Sequence, residues 1–527
     1  MTSESRRPLI IGGLIAAAVI YVYPLFLPTP LLEPDEGLHA TISQEMLEHG
    51  EWIVPTFRGE PFLDKPILYF WAQMISLKTF GMNEFAVRLP GLMFGLLGGL
   101  STGLLAGRLF GSRVGILSCL TSMTMFIPLA LAQAPVHDVA LVPWTNLALL
   151  CLWETEQATA RRQRYQWLAG AACMFGLAIM TKALIGVAVI GIGYGLFLIF
   201  SRTITVKGCV RLGSAILVGA VLASPWFIAM EFRSTGYLYY YFIERHAMGF
   251  ATTTQRHGQQ PWYYYAPFIT LGALPWIWYA APMLRDEWQS RSKRSRMLPQ
   301  MVLLLSWLIG GLVFLSVAKS KLVTYALPLF PAIAILCALA WYRYANRRMS
   351  ATSARWFINI IRSAGAFGMV VPFGILLSCR IILSTTWSPA AWLLAVTLSA
   401  GSAATWLLFE KRRYNQSAAL LCVWMAGITC LVMTWPLQMY AENSSQRSLA
   451  QWINRQETLP EQLILLGAEP NSVLFYLSRD LRSQLGPKRV SSIVLNQLPP
   501  GSQLTPRAVL AVTNKKIAEA NLEHQVI

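Results

Sequence analysis

Charge is scarce in this chain. Only 13% of its 527 residues are charged, about half the roughly 25% found in soluble globular proteins, and that shortage excludes an ordinary water-soluble domain. Acidic residues are scarcer still: 25 Asp and Glu stand against 43 Lys and Arg, for a formal net charge of +18. The basic excess does not form the continuous patch of a nucleic-acid binder. It lies in short runs between apolar stretches, the pattern that orients membrane helices. Paired cysteine motifs are missing too. Cys119, Cys151, Cys173, Cys209, Cys337, Cys379, Cys422 and Cys430 all fall in or beside apolar runs without CxxC spacing, which excludes a zinc site or a disulfide framework. No internal repeat or low-complexity tract is present.

What is abundant is apolar surface, at 55% of residues and a mean hydropathy of +0.47. A run of about 20 apolar residues crosses a bilayer core roughly 30 Å thick. About thirteen such spans are predicted, near 8–27, 86–107, 113–132, 137–154, 166–181, 183–201, 210–230, 263–283, 299–317, 322–341, 357–379, 389–409 and 416–436. The first run follows Arg6 and Arg7 as a signal peptide would, but no small-x-small cleavage site follows it and the run continues to Leu27, so it reads as an uncleaved span. Loops carrying Arg6/Arg7, Arg108/Arg113, Arg161/Arg162/Arg164, Arg202/Lys207/Arg211, Arg291/Lys293/Arg294/Arg296, Arg343/Arg347/Arg348 and Lys411/Arg412/Arg413 alternate with less basic ones. The basic set is expected in the cytoplasm, which places the C-terminal tail outside.

The expected architecture is therefore an all-α polytopic membrane domain over 1–438, followed by an outer soluble domain over 439–527. Two outer loops, about 28–85 and 231–262, are too long to be simple connections and are candidates for function. The tail has helix-like stretches near 444–456 and 515–522 and strand-like runs at 463–466, 473–477 and 508–512, the pattern of a small α/β appendage.

Ionisable groups gather on the outer side. The first loop opens Glu33-Pro34-Asp35-Glu36-Gly37-Leu38-His39. Asp35 reads as the N-cap of an amphipathic surface helix with Leu38, Ile42 and Met46 on one face and Gly50 as its stop. The helix dipole favours its charged form, suiting it to accept a proton or bind a cation. Asp138, beside His137, enters an apolar span, where an ionisable group is costly and marks function. Two such carboxylates suit activation of a nucleophile or a divalent cation, with Asp35, Asp64, Asp138 and His137 as candidate metal ligands; no cofactor is specified. Lys65 precedes the aromatic stretch Tyr69-Phe70-Trp71, a setting for either a lipid phosphate or a snorkelling lysine. Lys319-Ser320-Lys321 is a cationic turn on the side where positive charge is disfavoured, which calls for an anionic partner such as phosphate. Lys182, between two apolar spans, fits the same chemistry.

Taken together, these motifs resemble a known family. Pro34-Asp35-Glu36, Ile42-Ser43-Gln44-Glu45-Met46-Leu47, Gly50-Glu51-Trp52-Ile53-Val54-Pro55, Asp64-Lys65-Pro66, Phe85-Ala86-Val87-Arg88-Leu89-Pro90, Met180-Thr181-Lys182, Pro261-Trp262-Tyr263-Tyr264 and the segment Phe314–Leu322 with Thr324-Tyr325 follow one another in this order. That series is similar to the bacterial aminoarabinose transferases, a protein-O-mannosyltransferase-like group of the glycosyltransferase C superfamily. The resemblance implies thirteen spans with periplasmic juxtamembrane helices and a bacterial inner-membrane location. It further implies a polyprenyl-phosphate-sugar donor of the undecaprenyl type, an extracytoplasmic active site, and a lipid (lipid A-like), glycan or protein acceptor. Carried onto this chain, it assigns Asp35, with Asp138 and Glu36, to catalysis. Lys65, Tyr325, Lys182, Lys321, Arg88, Arg245 and Arg256 fall to the donor phosphate. Leu38 and Gly249 stand where those enzymes usually carry arginine, with Arg245 or Arg256 available to replace the second charge; sugar and acceptor stay unassigned. The alternative from another class is a transporter or flippase of a lipid-linked substrate, which shares the spans and phosphate contacts but places its ionisable groups near mid-membrane.

Overall fold

The structure is a computed structural model. It describes the chain apart from residues 1–6, 203–204, 252–259, 295–296, 384–388, 456–461, 467–470, 486–489, 494–507 and 512–527. Inside a bilayer the backbone finds no water to bond, so apolar runs close their hydrogen bonds as helices. Eight described helical segments are each long and apolar enough to cross: Glu84–Phe110, Arg161–Phe200, Val206–Arg233, Pro299–Val317, Val323–Ala345, Ala351–Ile381, Ala391–Glu410 and Tyr414–Glu442. Ser112–Met123 and Phe126–Ala132, bent by 66°, make a ninth if taken as one span. This is a multi-pass membrane protein.

The remaining expected spans fall on helices that are short, charged or broken. Arg7–Tyr21 has 15 residues, and His137–Gln157 carries Asp138 in its first turn. The expected span 263–283 divides into Tyr265–Gly272, Ile277–Tyr279 and Ala280–Arg294, because Pro275 supplies no amide to continue the ladder. The two spans expected to meet at Lys182 are halves of one 40-residue helical segment, Arg161–Phe200, interrupted by non-helical backbone at Lys182 and Ala183. Unbroken, it would run about 60 Å, roughly twice the bilayer core.

The chain separates into two compact units. One comprises Met1–Phe26, Asp64–Tyr69 and Gly91–Thr434, and holds nearly all the spans. Small residues let its helices approach closely: a Cβ on Gly12 would stand 2.7 Å from that of Ala419. Polar groups within it pair with each other, as where the Asn146 side chain donates to Ser101 Oγ and Thr102 Oγ1, both at 3.0 Å.

The other unit comprises Leu27–Leu63, Phe70–Pro90 and Trp435–Ile527. Its first helix, Asp35–His49, differs from expectation in two ways. Pro34 occupies the N-cap position without a side-chain cap, so Asp35 is the first helical residue, while Gly50 ends the helix in the left-handed conformation as expected. The helix is also not a surface amphipath: Glu36, Gly37, His39, Ala40, Thr41, Ile42, Ser43, Gln44 and Met46 are all buried. Polar positions that a local pattern assigns to water have partners here. Ser43 donates to Gln73 Oε1 at 2.6 Å and Thr41 to the Asn471 carbonyl at 3.2 Å. Gly37 permits that approach, since a Cβ there would lie 2.4 Å from the Ser472 nitrogen.

The C-terminal segment carries the helix Arg447–Ile453 in the stretch 444–456 expected to be helical, preceded by the helix Pro436–Ser444. The run 473–477, expected as strand, belongs to the helix Ser472–Tyr476; its Val473, Leu474 and Phe475 are buried together, which suits a helix turn better than a two-faced strand. Three short parallel strands stand in the order Val490–Ile493, Gln462–Leu466, Ala508–Ala511. The expected helix at 515–522 lies outside the described residues.

Several buried polar contacts fasten this segment to the first loop. Glu33 accepts from the amides of Asn471 and Ser472 at 2.9 and 2.8 Å, Tyr476 donates to Glu84 at 2.9 Å, and Arg482 pairs with Glu48. Burial pushes the Glu33 carboxyl up to about 7, outweighing the two amides that favour its anion. A raised carboxyl pKa stabilises the folded state fully below the unfolded value near 4.5, and that contribution fades as pH rises through 7. Hydrogen exchange at the Asn471 and Ser472 amides should therefore be slower, after correction for intrinsic rates, at pH 5 than at pH 8. Glu33→Gln, which retains an acceptor oxygen, should flatten that difference; an equal slope in both proteins would refute the assignment.

Candidate active site

Within the first unit a cavity of about 560 Å³ opens between Asp64, Lys65, Lys182, Tyr241, Arg245, His246 and Tyr325 on its polar side and Leu184, Ile185, Val187, Ala188, Phe250, Phe314 and Leu315 on its apolar side. Each polar residue is aimed by an irregularity in the backbone. Lys182 stands at the interruption of its helix with φ −155° and ψ 30°, followed by Ala183 at φ 40°, a conformation rare outside glycine. Strain of this kind persists where surrounding contacts demand it and concentrates at functional sites. The demand here is an ion pair. Lys182 and Asp138 bond directly, with both side chains 5% exposed. Asp138 lies in the first turn of His137–Gln157, where the helix dipole favours its negative charge. The Lys182 ammonium also sits 3.9 Å from the centre of the Tyr325 ring, a cation–π contact. Tyr325 belongs to the 3₁₀ segment Val323–Leu329.

The second irregularity is the π-helix Tyr239–Met248, a wide turn often found at functional sites. Its spacing directs two residues five apart, Tyr240 and Arg245, onto one carboxylate. Tyr240 donates to Asp64 Oδ1 at 2.6 Å and Arg245 approaches Asp64 Oδ2 at 3.3 Å. His246 Nδ1 stands 2.6 Å from the Tyr241 carbonyl. Burial lowers the His246 pKa to about 4, with Arg245, Lys65 and Lys182 adding repulsion, so the ring is neutral at pH 7 and donates to that carbonyl. Lys65 reaches the cavity just before Pro66, which holds the preceding backbone extended, and it has no ion-pair partner among the described residues.

The structure thus brings together Lys65, Lys182, Arg245 and Tyr325 from the expected set, with Asp138 behind Lys182. The others are not among the residues that line this cavity. Lys321 is buried, donates to the Gln260 carbonyl at 3.0 Å and does not line the cavity; its neighbour Ser320 does. Glu36 and Arg88 belong to the second unit and pair with each other at 2.7 Å; Arg88 also donates to the Thr29 and Pro30 carbonyls. All three guanidinium nitrogens are engaged there. Asp35, also in the second unit, is exposed and has no hydrogen-bond partner among the described residues. Arg256 lies outside the described residues. For the expected cation site, no three His, Cys, Asp or Glu side chains converge among the described residues: Asp64 and Asp138 face cations, and the His137 ring packs 4.8 Å from that of Tyr69. Sequence reading missed Tyr240, Tyr241 and His246, whose only signal was an aromatic run in the second long loop, and it gave Asp64 no role beyond a possible metal ligand.

Removing one member of a buried ion pair leaves an uncompensated charge, at a typical cost of about 3–5 kcal/mol. Lys182→Ala should accordingly lower the unfolding temperature of the detergent-solubilised protein, and Lys182→Met combined with Asp138→Leu should restore most of it. Wild-type stability in the single variant would show that the pair does not hold the helix interruption in place.

Comparison with known proteins agrees with this geometry. Residues 64–228, which include Asp64, Lys65, Asp138 and Lys182, match the family described as dolichyl-phosphate-mannose-protein mannosyltransferase. An undecaprenyl phosphate-alpha-4-amino-4-deoxy-L-arabinose arabinosyl transferase of Edwardsiella ictaluri is 30% identical over 461 residues, covering 84% of this chain and 80% of that protein. The enzyme of the same name from Erwinia tasmaniensis is 33% identical over 364 residues, 68% of this chain and 63% of its own length. The fold is similar to that of ArnT from Cupriavidus metallidurans bound to undecaprenyl phosphate, with a TM-score of 0.76 at 21% identity over 98% of this chain and 95% of that one. The architecture is that of the glycosyltransferase C superfamily, and the chain belongs to the family of undecaprenyl phosphate-aminoarabinose arabinosyl transferases.

Proposed function

We propose that this protein transfers a sugar from an undecaprenyl-phosphate-type donor to a lipid A-like acceptor on the periplasmic face of a bacterial inner membrane. The observation that carries the reading is the mixed lining of the cavity: Lys65, Lys182 and Arg245 with Tyr241, Tyr325, His246 and Asp64, and beside them aliphatic and aromatic side chains. A phosphate joined to a hydrocarbon chain has the same two-part chemistry. Asp35, Lys65 and Tyr325 also occupy the family motif positions, and the basic loops between spans support a cytoplasmic placement for the opposite face.

In this reaction the acceptor oxygen attacks the anomeric carbon, the bond from that carbon to the carrier phosphate breaks, and the phosphate departs with one more negative charge. Lys65, Lys182 and Arg245 stabilise that growing charge, an effect larger in the transition state than in the bound donor. Tyr325 orients the phosphate, and Asp138 holds Lys182 in position. Asp35 takes the proton of an acceptor hydroxyl, for which its exposed carboxylate is suited. A phosphate acceptor would already be ionised and would need Asp35 only for orientation. The helix interruption at Lys182 is a feature shared with transporters, but membership of a transferase family favours chemistry over transport.

Asp35→Asn should abolish sugar transfer in reconstituted membranes while expression and unfolding temperature stay at wild-type values; full turnover would remove Asp35 from the mechanism. Lys65→Ala should weaken binding of the polyprenyl-phosphate carrier by about tenfold or more, the equivalent of one charge-assisted hydrogen bond. An unchanged affinity, measured by titration with undecaprenyl phosphate, would reduce Lys65 to a snorkelling interface residue.

A further inference from the structure

A second basic cavity lies away from these residues, and the proposed reaction makes no use of it. It encloses about 570 Å³ and is lined by Tyr344, Arg347, Met349, Ala354, Arg412 and Tyr414. The lining comes from two turns between spans: one joins Phe330–Ala345 to Ala351–Leu383, the other Pro389–Glu410 to Tyr414–Thr434. A turn between two spans stands at the membrane boundary by construction, at the depth of lipid head-groups. Trp356 and Trp406, within the first two turns of one of these helices and the last two turns of another, are the interfacial residues expected at that depth.

The charges around the cavity are partitioned in a particular way. Asp286 and Glu287 are held by Arg343 at 2.8 and 2.9 Å, and Glu410 by Arg362 at 2.7 Å. No carboxylate lines the cavity itself, and Arg347 and Arg412 have no ion-pair partner among the described residues. Both arginines also share a backbone conformation. Arg347 has φ 54° and Arg412 φ 60°, each just past a helix end where glycine is the usual occupant. In both turns the following amide bonds back five residues, Arg348 to Arg343 and Arg413 to Leu408, at 2.8 and 2.9 Å. Two left-handed turns of the same form thus place two guanidinium groups at one cavity beside two tyrosines. Arg202 has the same positive φ at the end of Arg161–Phe200 but does not line this cavity, so it serves as an internal control.

We propose that this cavity binds the phosphate head-group of an anionic phospholipid, through Arg347 and Arg412 with Tyr414 as a further donor. Paired guanidinium groups match phosphate geometry, and basic pockets between spans are suited to anionic lipid heads. Only the choice of leaflet, the cytoplasmic one, rests on the orientation proposed above.

The test uses the full-length protein in nanodiscs. Native mass spectrometry of protein released from discs containing phosphatidylglycerol and cardiolipin should show a retained anionic lipid. Arg347→Gln with Arg412→Gln should reduce that retention at least tenfold, whereas Arg202→Gln should leave it unchanged. Retention equal to wild type in the double variant would overturn the proposal, as would an equal loss in the Arg202 control. Displacement of the lipid by millimolar inorganic phosphate would also overturn it, since the site would then recognise a free anion. Transfer activity in detergent should be unaffected by the double variant, so failure of this proposal can be told apart from failure of the transferase reading.

Discussion

The buried contact between Asp138 and Lys182 is the interaction on which the rest of the site depends. A charge in a low-dielectric setting is costly unless a counter-charge stands beside it. Asp138 supplies that counter-charge from the start of its helix, where the backbone dipole also supports the carboxylate. Asp64 does the same for Arg245, with Tyr240 completing its contacts. Lys65 alone has no carboxylate among the described residues. Three cations against two anions leave this group with one net positive charge, and a sugar linked to its carrier by a phosphodiester bears one negative charge. The group is therefore close to balanced within itself and complementary to the donor proposed above. On the proposed reaction the carrier phosphate gains a further charge as the sugar leaves, and fixed cations act most strongly at that moment.

Two departures from regular helix deliver these groups. At Lys182 and Ala183 the ladder of the long helix is interrupted, which turns a lysine from a helix flank toward the cavity. In Tyr239–Met248 the wider π spacing lets Tyr240 and Arg245 meet on Asp64; at 3.6 residues per turn, residues five apart point in clearly different directions. Neither departure has proline or glycine as its cause. Both are explained by long-range polar contacts that repay local strain, which is why they sit at the chemistry and not at the ends of helices.

That origin also explains what could be read from the sequence. Span positions follow from the length of apolar runs, a local property, and the helices fall where those runs do. The charged groups of the site were recognisable one at a time because an ionisable residue beside an apolar run is conspicuous, as with Asp138, Lys182 and Lys65. Their partnerships were not recognisable: Lys182 is 44 residues from Asp138 and Tyr240 is 176 from Asp64. The same limit accounts for the first-loop helix. Thr41 and Ser43 look like solvent-facing residues by spacing, yet they are buried, with Thr41 bonded to Asn471 and Ser43 to Gln73. Lys321 shows the same limit from the other side. A cationic turn on the outer side suggested an external anion, but the Gln260 carbonyl provides an internal acceptor.

The scarcity of acid gives the large positive charge its meaning. Glu36, Glu48, Asp64, Glu84, Asp138, Glu154, Glu156, Asp286, Glu287 and Glu410 all stand in ion pairs, so many of the 25 acidic residues are committed to framework or to aiming a cation. The basic residues left over cannot be neutralised from within. Some orient the spans and need only water. Others gather at a cavity, as Arg347 does with Arg412 and as Lys65 does beside two balanced pairs, and these are the charges to which the proposals above assign an outside anion. A basic residue that orients a span can thus also be one that lines a cavity, and its place decides this more than its type.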